Sequence, residues 1–239
     1  MSASEEMPIK ATMELEEPSG ELIEWAKDNI NEDPDKREQI ISEFRDLIYG
    51  LAFINNNTYC KISLILTHLV ESVHPIVLMM LFLLRFLRAR HFIVRKAHRL
   101  LINYYKFKES NPQYFDNVKL ERLRELANEE IISVPPYRDQ FGRRIMIFRI
   151  GAWDPSEYKI NELFQLTMGI IELAAMEPQV QIKGGLVIFD LSQLSVTHAW
   201  QMTPTIANNI VQIAMVAQKL SSYRKVLSFL QMTSYVIAT

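Results

Sequence analysis

In the first half of the chain, apolar residues recur every three to four positions, which is the period of an amphipathic helix. This pattern predicts a helix over residues 21–30 and a second helix that begins at Pro34. Residues 83–105 continue the helical pattern and are predicted to form two helices that meet near residues 91–92. With a further helix at 120–126, the first half is predicted to contain only helices.

Residues 50–81 interrupt this pattern. Three consecutive asparagines at 55–57 indicate a loop, and the apolar run after them has no clear period. The most apolar stretch, residues 62–87, contains Glu71 and Arg85, so a membrane-spanning helix is not predicted there.

The second half changes to alternating strands and helices. The predicted elements are a turn at 137–142, a strand at 144–150, a helix at 162–176 capped by Asn161, a strand at 186–189 and a helix that starts at Thr203-Pro204. The order strand, helix, strand, helix predicts an α/β layer.

Composition adds few constraints. Apolar residues make up 49% of the chain, which is ample for a core. Cys60 is the only cysteine, so no internal disulfide forms, and this fits a reducing compartment. The polar, acidic N-terminus does not resemble a signal peptide, and we predict a cytoplasmic protein.

The net charge of −2 conceals an asymmetry. Residues 1–46 hold fourteen acidic and five basic groups, and the remainder holds fourteen acidic and twenty-one basic groups. Eight basic residues fall within 85–108, namely Arg85, Arg88, Arg90, Arg95, Lys96, Arg99, Lys106 and Lys108. Such a segment is either a solvated helix face or a surface for anionic headgroups or nucleic acid. Aromatic residues do not interleave with it in an RNA-binding pattern, so no nucleic acid is predicted.

Catalytic signatures are missing from the sequence. It contains no nucleophile elbow, no phosphate-binding loop and no dinucleotide fingerprint. The five histidines are scattered, and Glu172 and Glu177 flank an apolar helix without a partner in the sequence pattern. Asp190 ends a strand, where a turn-forming or capping role is favoured over a functional one. We predict no enzyme, no metal and no cofactor.

The second half instead supplies an unusually apolar set of residues. They are Phe148, Phe164, Thr167, Ile171, Ile188, Met202, Ile206, Ile210 and Ile213. These side chains either fill a core or line a cavity for an apolar ligand. Periodicity does not separate the two cases, and by itself it favours a plain core.

Three ordered motifs carry a resemblance to a known family. They are F-L-L-R-F-L-R-A-R at 82–90 followed by Tyr104-Tyr105, R-I-G-A-W-D-P at 149–155, and G-L-V-I-F-D-L at 185–191 followed by S-V-T-H-A at 195–199 and Thr203-Pro204. They resemble the CRAL-TRIO (Sec14-like) lipid-binding family, which includes α-tocopherol transfer and retinaldehyde-binding proteins. The resemblance is weak over 20–48 and strong over 82–218.

The resemblance implies an α/β fold in which an N-terminal helical region precedes an incomplete CRAL-TRIO domain. The predicted divisions are a disordered acidic leader at 1–18, the helical region at 19–126 with an atypical segment at 50–81, the partial lipid-binding domain at 127–218 and a divergent tail at 219–239.

The implied function is binding and intermembrane transfer of one small hydrophobic lipid, similar to tocopherol or a retinoid, by a monomer that docks peripherally on phosphoinositide-containing membrane. The apolar set named above would line the cavity, and Arg90 matches a position linked to phosphoinositide headgroups. The alternative is a membrane-docking or regulatory module that transfers no cargo.

The resemblance stops near Gln218, before the strand and gate helix with which the family continues. We therefore expect a truncated, alternatively spliced or mispredicted form, impaired in lipid transfer because its apolar surface is left uncovered.

Overall fold

The computed structural model describes residues 13–52, 75–201, 203–220 and 228–230 of the 239-residue chain. Its first part is helical, as the hydrophobic pattern predicts. The helices are α1 (Gly20–Ile30), α2 (Pro34–Ala52), α3 (Pro75–Arg88), α4 (Val94–Ser110) and α5 (Leu120–Asn128), with a 3-10 turn at Pro112–Tyr114.

The second part combines helices with a small mixed sheet. Its elements are β1 (Ile132–Ser133), β2 (Arg144–Arg149), a 3-10 turn at Ile150–Ala152, α6 (Ile160–Ala174), α7 (Pro178–Lys183), β3 (Gly185–Asp190), α8 (Val196–Gln201), α9 (Pro204–Leu220) and β4 (Ser228–Leu230). The strand order is β1-β2-β3-β4, with β1 antiparallel to β2 and the other pairs parallel. The predicted α/β fold class with an N-terminal helical region is confirmed.

Two details of the predicted elements are wrong. Helix α3 begins at Pro75, inside the segment predicted to be irregular. The prediction failed because this stretch is apolar at nearly every position and therefore shows no helical period. Helix α6 begins at Ile160, and its N-cap is Lys159 rather than Asn161. The Lys159 backbone N–H donates to the Glu162 carboxylate at 2.8 Å, which replaces the predicted cap. Cys60 lies outside the described residues.

The apolar side chains form two large clusters. The helical core joins α2, α3 and α4 around Phe44, Phe86 and Leu87, all fully buried. The sheet core comprises Tyr114, Leu126, Ile131, Ile132, Met146, Phe148, Trp153, Tyr158, Leu163, Phe164, Leu166, Met168, Ile171 and Ile213. The helical region and the α/β region therefore each bury a core of their own.

A buried ion pair joins the two regions. The Arg88 guanidinium donates to both carboxylate oxygens of Glu32, at 2.8 and 2.7 Å, and to the Gln181 side-chain oxygen at 2.7 Å. The Gln181 amide nitrogen donates in turn to the carbonyls of Leu81 and Ala175. Three segments that are far apart in sequence are thus held by one fully bonded polar group.

A second buried arginine ties α3 to α6. Arg85 donates to Glu172 at 2.8 Å, and the Tyr104 hydroxyl donates to the same carboxylate at 2.6 Å. Three rings, those of Phe82, Phe86 and Tyr104, lie 4.1 to 4.8 Å from the guanidinium carbon. They make cation–π contacts with a guanidinium whose Nε and Nη2 have no hydrogen-bond partner in the described part.

The charge of Arg85 decides the ionisation of this cluster. Burial by itself would raise the pKa of Glu172, but the charges of Arg85 and Lys108 and two hydrogen bonds outweigh it, so the pKa is lowered. Burial raises the pKa of the Tyr104 hydroxyl well above its ordinary value, and the neighbouring Glu172 charge adds to that rise. Glu172 is therefore an ionised structural partner of Arg85.

A third cluster holds the segment before α1. Arg144 and Arg138 donate to the Glu177 carboxylate at 2.7 and 2.8 Å, and Arg138 also donates to Glu14 at 2.7 Å. Met13 and Leu15, on either side of Glu14, pack against the helical core. The end of the acidic leader thus contacts both regions.

We predict that the Arg88–Glu32 pair is required for stability. Arg88→Ala removes the bidentate partner of the buried Glu32 carboxylate and leaves it the longer, 3.6 Å contact with Arg37, so it is expected to lower the free energy of unfolding by about 3–5 kcal/mol. The double variant Arg88→Met/Glu32→Leu should lose less than Arg88→Ala, since neither charge is then stranded. Urea denaturation measures both changes.

The control for this experiment is Arg95→Ala, which removes an exposed arginine from α4 and should change stability by no more than about 0.5 kcal/mol. A loss below about 1 kcal/mol for Arg88→Ala would contradict the proposed role of the pair.

Candidate lipid-binding site

The predicted cavity residues converge on the sheet core. Strand alternation points Met146 and Phe148 to one face of β2, and helix α6 covers that face with Phe164, Thr167 and Ile171. All five are buried. Helix α9 contributes Ile213, which is buried, and Ile206 and Ile210, which are partly buried against the same cluster. Residues from three separate elements therefore meet at one apolar region.

One of the predicted residues, Ile188, is not part of this assembly. Ile188 pairs with Ile147 across the strands, whereas Phe148 pairs with Phe189. Successive side chains of a strand alternate between faces, so Ile188 points away from the sheet core. Met202 lies outside the described residues. Whether the assembled residues enclose a ligand stays a prediction.

The structure adds aromatic contacts that the sequence pattern did not single out. The Phe148 ring stacks on Phe189 with centroids 5.2 Å apart, and the Phe164 ring meets Tyr114 edge to face at 5.4 Å. Phe189 belongs to a strand that is apolar at successive positions, so alternation of apolar and polar residues does not show which face its side chain occupies. Tyr114 lies in the 3-10 turn after α4, outside the motifs of the resemblance.

A histidine joins two of the sequence motifs at the edge of this region. His198 Nε2 lies 2.6 Å from the Trp153 carbonyl, and the Ser195 backbone N–H donates to His198 Nδ1 at 3.0 Å. Because Nδ1 accepts, the proton resides on Nε2 and is donated to Trp153. Trp153 Nε1 donates onward to the Tyr158 carbonyl at 2.8 Å.

The Ser195–His198 pair has the form of a helix cap. Ser195 precedes the first residue of α8, and His198 is the third residue of that helix, which is the spacing of a capping box. The Ser195 hydroxyl also lies 2.7 Å from His198 Nδ1. The other ring nitrogen bonds to a backbone carbonyl rather than to a carboxylate, so no triad is formed.

Gly151 permits the close approach of the two motif loops. A Cβ atom at this position would lie 2.1 Å from the Ser192 carbonyl oxygen and 2.7 Å from the Gln193 carbonyl carbon. Both are backbone atoms, which cannot swing away as a side-chain tip can. The glycine of R-I-G-A-W-D-P is thus a packing requirement of the loop that follows β2.

Asp190 has the turn-forming role that was favoured for it. Its carboxylate accepts the Ser192 backbone N–H at 2.9 Å. Hydrogen bonds from the side chain and backbone of Ser192 lower the pKa of Asp190.

The basic segment is not one continuous surface. Arg85 and Arg88 are fully buried, so both interpretations that placed them on the surface are wrong. Arg95, Lys96, Arg99 and Lys106 are exposed. Arg90, the predicted phosphoinositide residue, is half-buried in the turn that follows α3, and burial lowers its pKa.

A separate pocket of about 330 Å³ lies between α5 and the start of α6. Charged and amide side chains dominate its lining, which includes Lys119, Arg122, Lys159 and Glu162. It therefore does not suit an apolar ligand. In the described part of the chain, no cluster of three or more metal-ligating side chains occurs. No helix described is both long and apolar enough to cross a bilayer.

Comparison with known proteins agrees with the second and third motifs. Residues 128–218 match the CRAL/TRIO domain. The match includes β2, α6, β3 and most of α9, which are the elements that build the apolar region described above.

Curated relatives extend the similarity into the helical region. The chain is 28% identical over 193 residues to alpha-tocopherol transfer protein-like from Mus musculus, covering 81% of this chain and 51% of the relative. It is 30% identical over 193 residues to clavesin-1 from Pongo abelii, covering 79% and 48%. The chain thus spans about half the length of the curated relatives it matches.

We predict that Gly151→Ala destabilises the α/β region. The added methyl group requires the backbone of the 192–193 loop to move, which should lower the free energy of unfolding by about 1–3 kcal/mol. Thermal denaturation followed by circular dichroism measures the change.

Gly169→Ala is the matched control. Gly169 lies inside α6, and no atom that a Cβ would meet is within 4 Å. This variant should leave the protein unchanged or stabilise it by up to about 1 kcal/mol, because alanine favours the helix. Equal stability of the two variants would contradict the packing role of Gly151.

Proposed function

We propose that this chain binds one small hydrophobic lipid at the sheet core and carries it between membranes. The observation on which the proposal depends is the convergence of Phe148, Phe164, Ile171 and Ile213 from β2, α6 and α9. Burying a lipid tail against such side chains gains about 25 cal/mol per Å² of apolar surface. The CRAL/TRIO match over these elements supports the same function.

The names of the relatives suggest a ligand class. One relative is named as similar to a transfer protein for alpha-tocopherol, a lipid with one polar end and a long apolar chain. We propose a tocopherol-like or retinoid-like molecule for this chain, bound without a cofactor. We further propose that the chain acts as a monomer and is not an enzyme.

We also propose that the protein docks peripherally on anionic membrane through Arg90 and the start of α4. Arg95, Lys96 and Arg99 are exposed and fall on one side of the helix, at spacings of three and four residues. Ile93, which precedes them, is 43% exposed and offers an apolar contact. Cationic side chains beside an apolar one suit a phosphoinositide-containing surface.

A second candidate function is membrane docking without cargo transfer. It is favoured by the ring contacts of Phe148 with Phe189 and of Phe164 with Tyr114, because these side chains already contact one another. In that case the sheet core has a structural role only.

Lipid extraction distinguishes the two candidates. Mass spectrometry of organic extracts from the chain purified out of cells should recover about one apolar small molecule per protein. Ile171→Phe, which adds volume at the sheet core, should reduce the recovered amount at least about threefold. Ile145→Phe is the control, since Ile145 lies on the opposite face of β2.

Recovery of no lipid from the folded wild-type chain would contradict cargo binding. Equal losses in Ile171→Phe and Ile145→Phe would show that the ligand does not lie at the sheet core.

Membrane docking has a separate test. Sedimentation with vesicles of phosphatidylcholine that contain a few per cent phosphatidylinositol bisphosphate should show binding that weakens as salt is raised. Arg90→Ala should weaken it about fivefold, since one basic residue near such a surface contributes about 1 kcal/mol.

Lys27→Ala removes one exposed positive charge from α1, far in sequence from the proposed surface, and serves as the control. Equal effects of Arg90→Ala and Lys27→Ala would contradict the assignment of Arg90. Vesicle binding by a chain that yields no extracted lipid would favour the second candidate.

A further inference from the structure

The sheet core contains one buried tyrosine hydroxyl that has no hydrogen-bond partner among the described residues. Tyr114 is 2% exposed, and its hydroxyl has no hydrogen-bond partner in the described part of the chain. A tyrosine hydroxyl both donates and accepts, and buried hydroxyls in native proteins are nearly always bonded. Such a group in an apolar cluster therefore calls for a specific explanation.

The other buried polar side chains of this region are bonded within the protein. The Thr167 hydroxyl donates to the Leu163 carbonyl at 2.7 Å, and the Trp153 indole donates to the Tyr158 carbonyl at 2.8 Å. His198 is bonded through both ring nitrogens. The Tyr114 hydroxyl differs from these groups because it has no hydrogen-bond partner among the residues that the structure describes.

The position of Tyr114 relates its hydroxyl to the proposed lipid site. The Tyr114 ring meets Phe164 edge to face at a centroid distance of 5.4 Å, and Phe164 is a predicted wall residue. Pro112 opens the 3-10 turn that carries the tyrosine, and this turn packs against α6. The ring therefore lies beside the wall as a buried member of the apolar cluster.

We propose that the Tyr114 hydroxyl is the polar anchor of the lipid site and hydrogen-bonds an oxygen of the bound molecule. The inference rests on the proposed lipid binding and deepens it by naming the chemical class of the cargo. The cargo carries a hydroxyl, carbonyl or ester oxygen on an otherwise apolar body. A pure hydrocarbon is discriminated against, because it leaves the tyrosine hydroxyl unpaired.

A matched pair of probes tests this selectivity. Retinol and deoxyretinol share one polyene and ring, and a methyl group replaces the hydroxymethyl group in the second. Titration of the full chain, followed by quenching of tryptophan fluorescence, should show about fivefold to tenfold tighter binding of retinol. In Tyr114→Phe the affinities for the two probes should differ by less than about twofold.

A stability measurement tests the anchor without any ligand. If the hydroxyl is unpaired in the ligand-free protein, Tyr114→Phe should keep or raise Tm, because the variant removes a buried polar group that has no partner. Tyr104→Phe is the matched contrast. It removes a hydroxyl that donates to Glu172 at 2.6 Å, and it should lower Tm by several degrees.

Two results would overturn the anchor while leaving lipid binding intact. One is equal affinity of the wild-type chain for retinol and deoxyretinol. The other is a fall in Tm for Tyr114→Phe as large as that for Tyr104→Phe, which would show that the hydroxyl is bonded within the protein. Failure of the wild-type chain to bind either probe would count against the proposed lipid binding itself, together with the anchor.

Discussion

The arrangement of the two regions depends on a buried arginine whose three guanidinium nitrogens all donate hydrogen bonds. Arg88 meets Glu32 with a bidentate contact and Gln181 with a third hydrogen bond, and Gln181 in turn bonds two backbone carbonyls. Buried charges are costly unless their partners are complete. Any shift of the helical region against the α/β region would strand one of these groups, so the network fixes their relative position.

The same principle explains why α6 can present an apolar face to the sheet. Glu172 lies on this helix next to Ile171, yet its carboxylate turns toward Arg85 and Tyr104 in the helical core. The charge on one side of α6 is neutralised there. Other positions of the same helix are left free to carry Phe164 and Thr167 into the sheet core.

The chemistry of the proposed carrier is therefore distributed between two surfaces with opposite properties. An apolar interior formed by β2, α6 and α9 is suited to a lipid body, and exposed basic residues from Arg95 to Arg99 are suited to an anionic membrane. Tyr114 adds a polar point to the interior. A molecule with one oxygen and a long hydrocarbon body matches such an interior better than a charged or a wholly apolar one.

The sequence by itself determined most of the helical first half, the strands β2 and β3, the turn at 137–142 and the three motifs that resemble the CRAL-TRIO family. Local periodicity and turn chemistry encode these features. The apolar residues predicted to line the cavity came from the same hydrophobic pattern together with the family resemblance. Tertiary structure alone decided that Arg85 and Arg88 are buried, that Ile188 points away from the sheet core and that Tyr114 lies beside Phe164. Each of these features depends on contacts between residues that are distant in sequence. A charged residue or an apolar run in the sequence does not show which distant residue it will contact.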